Sequence, residues 1–175
     1  FMQNEIITKL GSSELYSKDG HVSASLDSDI WKVAAFDRIH GTNKHSIGFL
    51  ENFGADIGAF ASTWSFHENN LIVLGSNDSD MAIASNHLIK NQGGLVVVKS
   101  GKILASLPLQ FGGIISTDSF ETVSSNFEKI NNTIMDLGCK FTRPHLIPLF
   151  LPFLALPSVR ILASGIVDVK KRSYI

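Results

Sequence analysis

The chain has 175 residues, 44% of them hydrophobic and 18% charged, with a formal net charge of −1. That is enough apolar material for one packed core, and it excludes a disordered chain. No basic stripe is present, so nucleic acid is excluded as a partner class. The short cluster Lys170-Lys171-Arg172 reads as the solvated end of a strand. Twelve Phe residues and low charge predict apolar surface for a partner, either a second copy or another domain. The lone Cys139 gives no disulfide framework and suits the cytoplasm. Residues 1–5 are polar and acidic, so no signal peptide is expected. The strongest apolar run, residues 146–159, is too short to span a bilayer and is broken by Pro148, Pro152 and Pro157. It reads as kinked chain in the core or at an interface.

In chain order, residues 5–10 and 30–39 predict strands. Residues 45–50 and 57–64 predict two more, joined as a hairpin through Gly54 and unusually small-sided. Residues 71–74 predict a short buried strand. Residues 78–91 predict a helix capped by Asn77 or Asp78, with Asp80 in its first turn. Met81, Ala84, Leu88 and Ile89 form its apolar face, and Gly93-Gly94 stops it. Residues 95–98 predict the next strand, completing a βαβ crossover. Ser100-Gly101 turns the chain into a strand over 102–107. Asp118, with Glu121 three residues on, predicts a capping box. The helix it opens carries Phe120, Val123, Phe127, Ile130, Ile134 and Leu137 at helical spacing and ends at Gly138. Residues 161–169 predict a late strand. The fold class is α+β, a mixed and largely antiparallel sheet with about two packed helices and one βαβ unit.

Two segments carry candidate chemistry. The first is Ser65-Phe66-His67-Glu68-Asn69-Asn70, between two strands. It reads either as an exposed polar turn or as a ligand loop in which His67 and Glu68 perform acid–base work. Ser65, Asn69 and Asn70 would be ligand contacts. The second runs from Asp37 to His45 and holds the densest cluster of ionisable side chains. It is either a solvated turn with a weak Asp37–Arg38 pair, or a surface where Arg38, His40 and Lys44 converge on an anion or purine. If a pocket exists, the two segments are expected to line it together.

No metal site is expected. The six His lack H-x-H or H-E-x-x-H spacing, and Asp78 and Asp80 are explained by the helix dipole. Gly75-Ser76-Asn77-Asp78 places carboxylates where a phosphate loop needs donors. No G-x-S-x-G elbow occurs, and no nucleophile has a positioned base.

Further motifs form an ordered series. Ile47-Gly48-Phe49, Phe53-Gly54, Gly58-Ala59 and Ala61-Ser62-Thr63 come first. Gly75-x-Asn77-Asp78-x-Asp80-Met81-Ala82, Gly93-Gly94-Leu95, Leu107-Pro108-Leu109, Gly113 and Ser116 follow. Phe153-Leu154-Ala155-Leu156-Pro157 and Gly165-x-Val167-Asp168-Val169 complete it. The series resembles the C-terminal domain of bacterial adenine deaminases, as one domain over residues 1–175. The resemblance implies a hydrolase of purine metabolism, acting on cyclic amidines, that converts adenine and water to hypoxanthine and ammonia. It implies an amidohydrolase-type (β/α)₈ barrel as partner domain, holding Mn or Fe, with no cofactor in the present chain. It also implies a purine-like small molecule as ligand class.

Where the family has S-H-D-S-H-N, Phe66 and Asn69 replace two histidines and His67 replaces the acid. Only Ser65 and Asn70 carry over. Because the metal-binding barrel is absent from these 175 residues, the chain is expected to be an accessory, inactive domain. The alternative is a free-standing diverged module that binds a small ligand or self-associates without deaminase activity.

Overall fold

Four short apolar strands meet as the centre of one six-stranded sheet, and irregular chain closes over it. A computed structural model describes residues 1–175, apart from the side chain of Lys18. The strands are β1 (Ser17–Lys18), β2 (His21–Val22), β3 (Ile30–Phe36), β4 (His45–Glu51), β5 (Ala59–Ser62) and β6 (Leu71–Gly75). Helix α1 (Asp78–Lys90) precedes β7 (Gly94–Lys99) and β8 (Lys102–Pro108). Helices α2 (Phe120–Asp136) and α3 (Leu146–Phe150) follow. Strands β9 (Val159–Leu162), β10 (Gly165–Asp168) and β11 (Ser173–Tyr174) end the chain.

The main sheet has the order β4-β3-β6-β5-β7-β8, and every neighbouring pair is antiparallel. Strands β6 and β7 both pair with β5, so they run parallel with β5 between them. Helix α1 joins them, which makes the expected βαβ unit a split one. The architecture is α+β.

Both faces of the sheet are covered, which is why its inner strands read as unbroken apolar runs. Ala34, Ala59, Ala61, Val73, Val96 and Val98 face Met81, Ala84 and Leu88 of α1. Small side chains there let the helix lie close. Trp31, Val33, Phe60, Ile72, Leu74, Leu95 and Val97 face Ile130 and Ile134 of α2 and Ile147 of α3. Asn77 caps α1, its Oδ1 accepting from the Asp80 N–H at 2.8 Å. The buried Asp80 carboxylate accepts from Ser100 N–H (2.9 Å) and Gly101 N–H (2.7 Å), tying α1 to the β7–β8 turn. Asp78 instead pairs with Lys32.

Several expectations are corrected. Strands β4 and β5 do not form a hairpin. Strand β4 lies at the sheet edge and pairs along its length with β3, while β5 lies between β6 and β7. The connecting chain buries Phe53, Ala55 and Ile57, so its alternation serves the core rather than a turn. Residues 5–10 form no strand beyond one isolated bridge between Met2 and Thr8. The Asn4 side chain accepts from Ile6 and Ile7 N–H and curls the backbone there. The cap of α2 is Ser119, not Asp118, a slip of one residue between two good capping types. Residues 161–169 split at Ala163-Ser164 into the β9–β10 hairpin. Ile89 is 69% exposed, because a step of about 100° beyond Leu88 carries it past the sheet.

The run over 146–159 folds as α3 and successive turns around one side chain, Arg160. Its guanidinium is 0% exposed. Nε donates to Leu156 O (3.1 Å), Nη1 to Phe150 O (3.1 Å), and Nη2 to Ile6 O (3.0 Å) and Pro157 O. No carboxylate pairs with it among the described residues. Burial pushes its pKa down to about 10, so it remains charged at neutral pH.

Arg160→Met should therefore strand several buried carbonyls and cost about 3 kcal/mol of unfolding free energy. Urea denaturation measures this. Arg160→Lys should fall between, since an ammonium cannot reach all four oxygens. A methionine variant within about 0.5 kcal/mol of the parent would contradict this role.

Candidate functional site

Strand β5 ends at Ser62 and β6 begins at Leu71, so residues 63–70 reverse the chain at one end of the sheet. The Thr63 hydroxyl donates to Gly113 O (2.7 Å) and accepts from Gly94 N–H (2.8 Å). Phe66 N–H donates to Leu149 O at 3.0 Å, which lays the loop along α3. His67 and Asn69 take left-handed backbone conformations, with φ of 77° and 48°.

Ser65 and Asn70, the two ends of the polar hexapeptide, are buried. Asn70 Oδ1 accepts from the Arg38 N–H at 3.3 Å, and Asn70 Nδ2 donates to Glu68 Oε2 at 2.8 Å. The Ser65 hydroxyl is 3.5 Å from Asn70 O. Arg38 Nε donates to Asn69 O (2.7 Å), and its Nη2 donates to Gly112 O (2.6 Å). Arg38 thus joins the two segments singled out in the sequence. Ser65, Glu68, Asn69, Asn70 and Arg38 form one connected set.

His67, His40 and Lys44 are exposed and stand outside that set. His40 Nδ1 lies 3.5 Å from Asp37 Oδ1. The Asp37 carboxylate accepts from Ile39, His40 and Thr42 N–H and from the Thr42 hydroxyl. Those donors, the Thr42 hydroxyl foremost, hold its pKa well below the usual carboxylate range. Asp37 therefore organises its own turn. A cavity of about 480 Å³ lies beside Arg38, lined also by Phe36, Asp37 and Thr63. None of residues 65–70 lines it.

Phe66, at a position where the resembled family has histidine, packs against Phe150 and Phe153, with ring centroids 5.1 and 4.9 Å away. It remains 41% exposed. Next to this cluster is a group that sequence reasoning missed. His145 stacks on Trp64 (6.3 Å, 13°) and contacts Phe127 (5.3 Å). Asn131 Oδ1 accepts from the His145 backbone N–H (3.3 Å) and lies 2.7 Å from Nδ1. The backbone N–H can only donate, so the oxygen faces the ring and Nδ1 carries the proton. Nε2 is left as the acceptor. Burial, with Arg143 second, holds the His145 pKa below the ordinary imidazole value, while Glu5 opposes this weakly. The only signal in the sequence was a histidine before an apolar run, which marks no chemistry by itself.

Among the described residues no three His, Cys, Asp or Glu side chains are grouped to hold a metal ion. Burial pushes the Cys139 thiol up to about 11, so it is no ready nucleophile. Among the described residues no helix is long and apolar enough to cross a membrane.

The family model for the adenine deaminase C-terminal domain matches residues 5–173. The chain is 60% identical over 174 residues to an adenine deaminase of Cenarchaeum symbiosum, covering 99% of this chain and 29% of that protein. It is 36% identical over 162 residues to an adenine deaminase of Clostridium botulinum strain Langeland, covering 93% of this chain and 27% of the relative. With an adenine deaminase of Brucella abortus strain 2308 it shares 37% identity over 172 residues, covering 98% and 29%. The chain thus spans less than a third of the length of these relatives.

His145 should titrate below the ordinary imidazole value of about 6.5, with Nδ1 protonated in the neutral ring. Nitrogen-15 NMR reads both properties. The unfolded chain then takes up this proton first, so unfolding free energy falls as pH falls through that ordinary value. Replacing His145 with Gln should remove this part of the pH dependence. A titration at or above the ordinary value would contradict the assignment.

Proposed function

This chain belongs to the adenine deaminase C-terminal domain family, and we propose that it serves as an accessory domain of a longer adenine deaminase polypeptide. In this reading an amidohydrolase barrel elsewhere in that polypeptide holds the metal and carries out the deamination. The observation that carries the reading is the match over residues 5–173, combined with relatives in which the matched segment is 27–29% of the length.

The chemistry of the loops agrees. Hydrolytic deamination needs an activated water and groups free to move protons. Glu68 is engaged by Asn70, and Asp37 is held by its own turn. Ser65 and Asn70 are buried in the scaffold rather than presented to solvent. His67 is exposed, but no acid or amide orients its ring among the described residues. The polar hexapeptide therefore acts as a joint between β5, β6 and α3. A cytoplasmic setting and a purine ligand for the complete polypeptide follow from the same reading.

Self-association has one observation in its favour, the exposed edge of the Phe66–Phe150–Phe153 cluster. Aromatic clusters of this kind also suit contact with a barrel.

The purified chain should release no ammonia from adenine above the buffer blank, with or without added Mn²⁺ or Fe²⁺. Metal-dependent release that survives repurification to constant specific activity would overturn the accessory reading.

A further inference from the structure

Arg38 is a built feature rather than a loose surface charge. Two of its nitrogens are anchored on Asn69 O and Gly112 O. The planar group also lies flat against Gly113, where φ is 74° and an added Cβ would come within 2.6–2.9 Å of all three terminal guanidinium atoms. A side chain there would displace the guanidinium, and the left-handed φ itself favours glycine. Behind it, a Cβ at Gly93 would meet Gly113 Cα at 2.4 Å and the Thr63 hydroxyl at 2.7 Å. Close backbone packing thus fixes the guanidinium beside the cavity of about 480 Å³.

No carboxylate pairs with Arg38 among the described residues, and Nη1 has no protein acceptor there. Asp37 also borders the cavity, but its oxygens are occupied by the four donors of its turn. The Ser85 hydroxyl is used by Met81 O, and the Thr63 hydroxyl by Gly113 O. The exposed Gln92 side-chain amide has no protein partner among the described residues. The remaining walls are Phe36, Leu71, Leu88 and Ile89. The volume lies within the range of small-molecule sites, which pair apolar walls with a few placed polar groups.

We infer that this cavity binds a small organic monoanion, a carboxylate with an apolar body, its oxygens accepting from Arg38 Nη1 and the Gln92 amide. An oriented guanidinium without an acid is the group best matched to a carboxylate. The apolar body would cover Leu88, Ile89 and Leu71. This site stands apart from the accessory role: it involves none of residues 65–70, and its failure would leave that role untouched.

The test uses octanoate, 1-octanol and inorganic phosphate with the whole chain, followed by NMR. Octanoate should shift Leu71, Leu88, Ile89 and Gln92 saturably. It should bind about tenfold or more tightly than octanol, while phosphate alone should shift none of these signals. Ile89→Asp alters an exposed helix position at the cavity lip, so the fold is retained. It should weaken octanoate by about tenfold or more through charge repulsion and lost apolar contact. Arg38→Met should do the same, provided its thermal melt stays cooperative. Equal binding of octanol and octanoate, phosphate binding alone, or no saturable shift with octanoate would each overturn the inference.

Discussion

The guanidinium of Arg160 is fully buried, and four backbone carbonyls, from residues 6, 150, 156 and 157, hold it. A buried charge is tolerated only where its donors are matched, and here neutral oxygens match them without an acid. That requirement shapes the irregular chain around it. It draws the N-terminal segment, the end of α3 and the proline-broken turns onto strand β9. Thr8 adds to the same junction, its hydroxyl bonding to the Val159 backbone on both sides. The carbonyl of Phe150 is fixed by Arg160, and the neighbouring carbonyl of Leu149 receives Phe66 N–H. The placement of the polar hexapeptide therefore descends from a charge that never reaches solvent.

Arg38 repeats the device at the sheet end, half-buried rather than enclosed. It also bonds to carbonyls, and burial likewise lowers its pKa. The difference lies in what is left over. Nearly all of the Arg160 donors are used inside the fold, whereas Arg38 borders a cavity and its Nη1 has no protein acceptor among the described residues. The first is a device of stability, and the second combines stability with a capacity for anions. Asp37, the carboxylate that also borders that cavity, is held by the donors of its own turn.

Much of the sheet was legible in the sequence. Strands β3, β6, β7 and β8, helix α1 with its Asn77 cap, and the long amphipathic α2 all follow from period and capping residues. Strand order was not legible. The glycine at 54 invites a hairpin, but pairing is decided by which edges remain open, and β3 and β6 intervene between β4 and β5. Ser119 displaced Asp118 because both residue types cap well and local sequence does not separate them by one position. At the site, the sequence singled out Arg38 and Asn70 as polar residues near strand ends, and the structure links them. His145 was not legible, since its tautomer depends on Asn131, fourteen residues away, and on the ring of Trp64 across the fold. The exposed positions of His67 and His40 follow from left-handed or turn backbone that composition does not encode.

Amide hydrogen exchange tests most directly whether residues 65–70 are a joint of the scaffold rather than a free polar turn. The Phe66 amide, bonded to Leu149 O, and the Arg38 amide, bonded to Asn70 Oδ1, report on the two arms of that joint. Both should exchange orders of magnitude more slowly than the unstructured rate, with protection approaching that of the neighbouring β6 amides. Exchange of both amides near the unstructured rate, while β6 stays protected, would contradict the account.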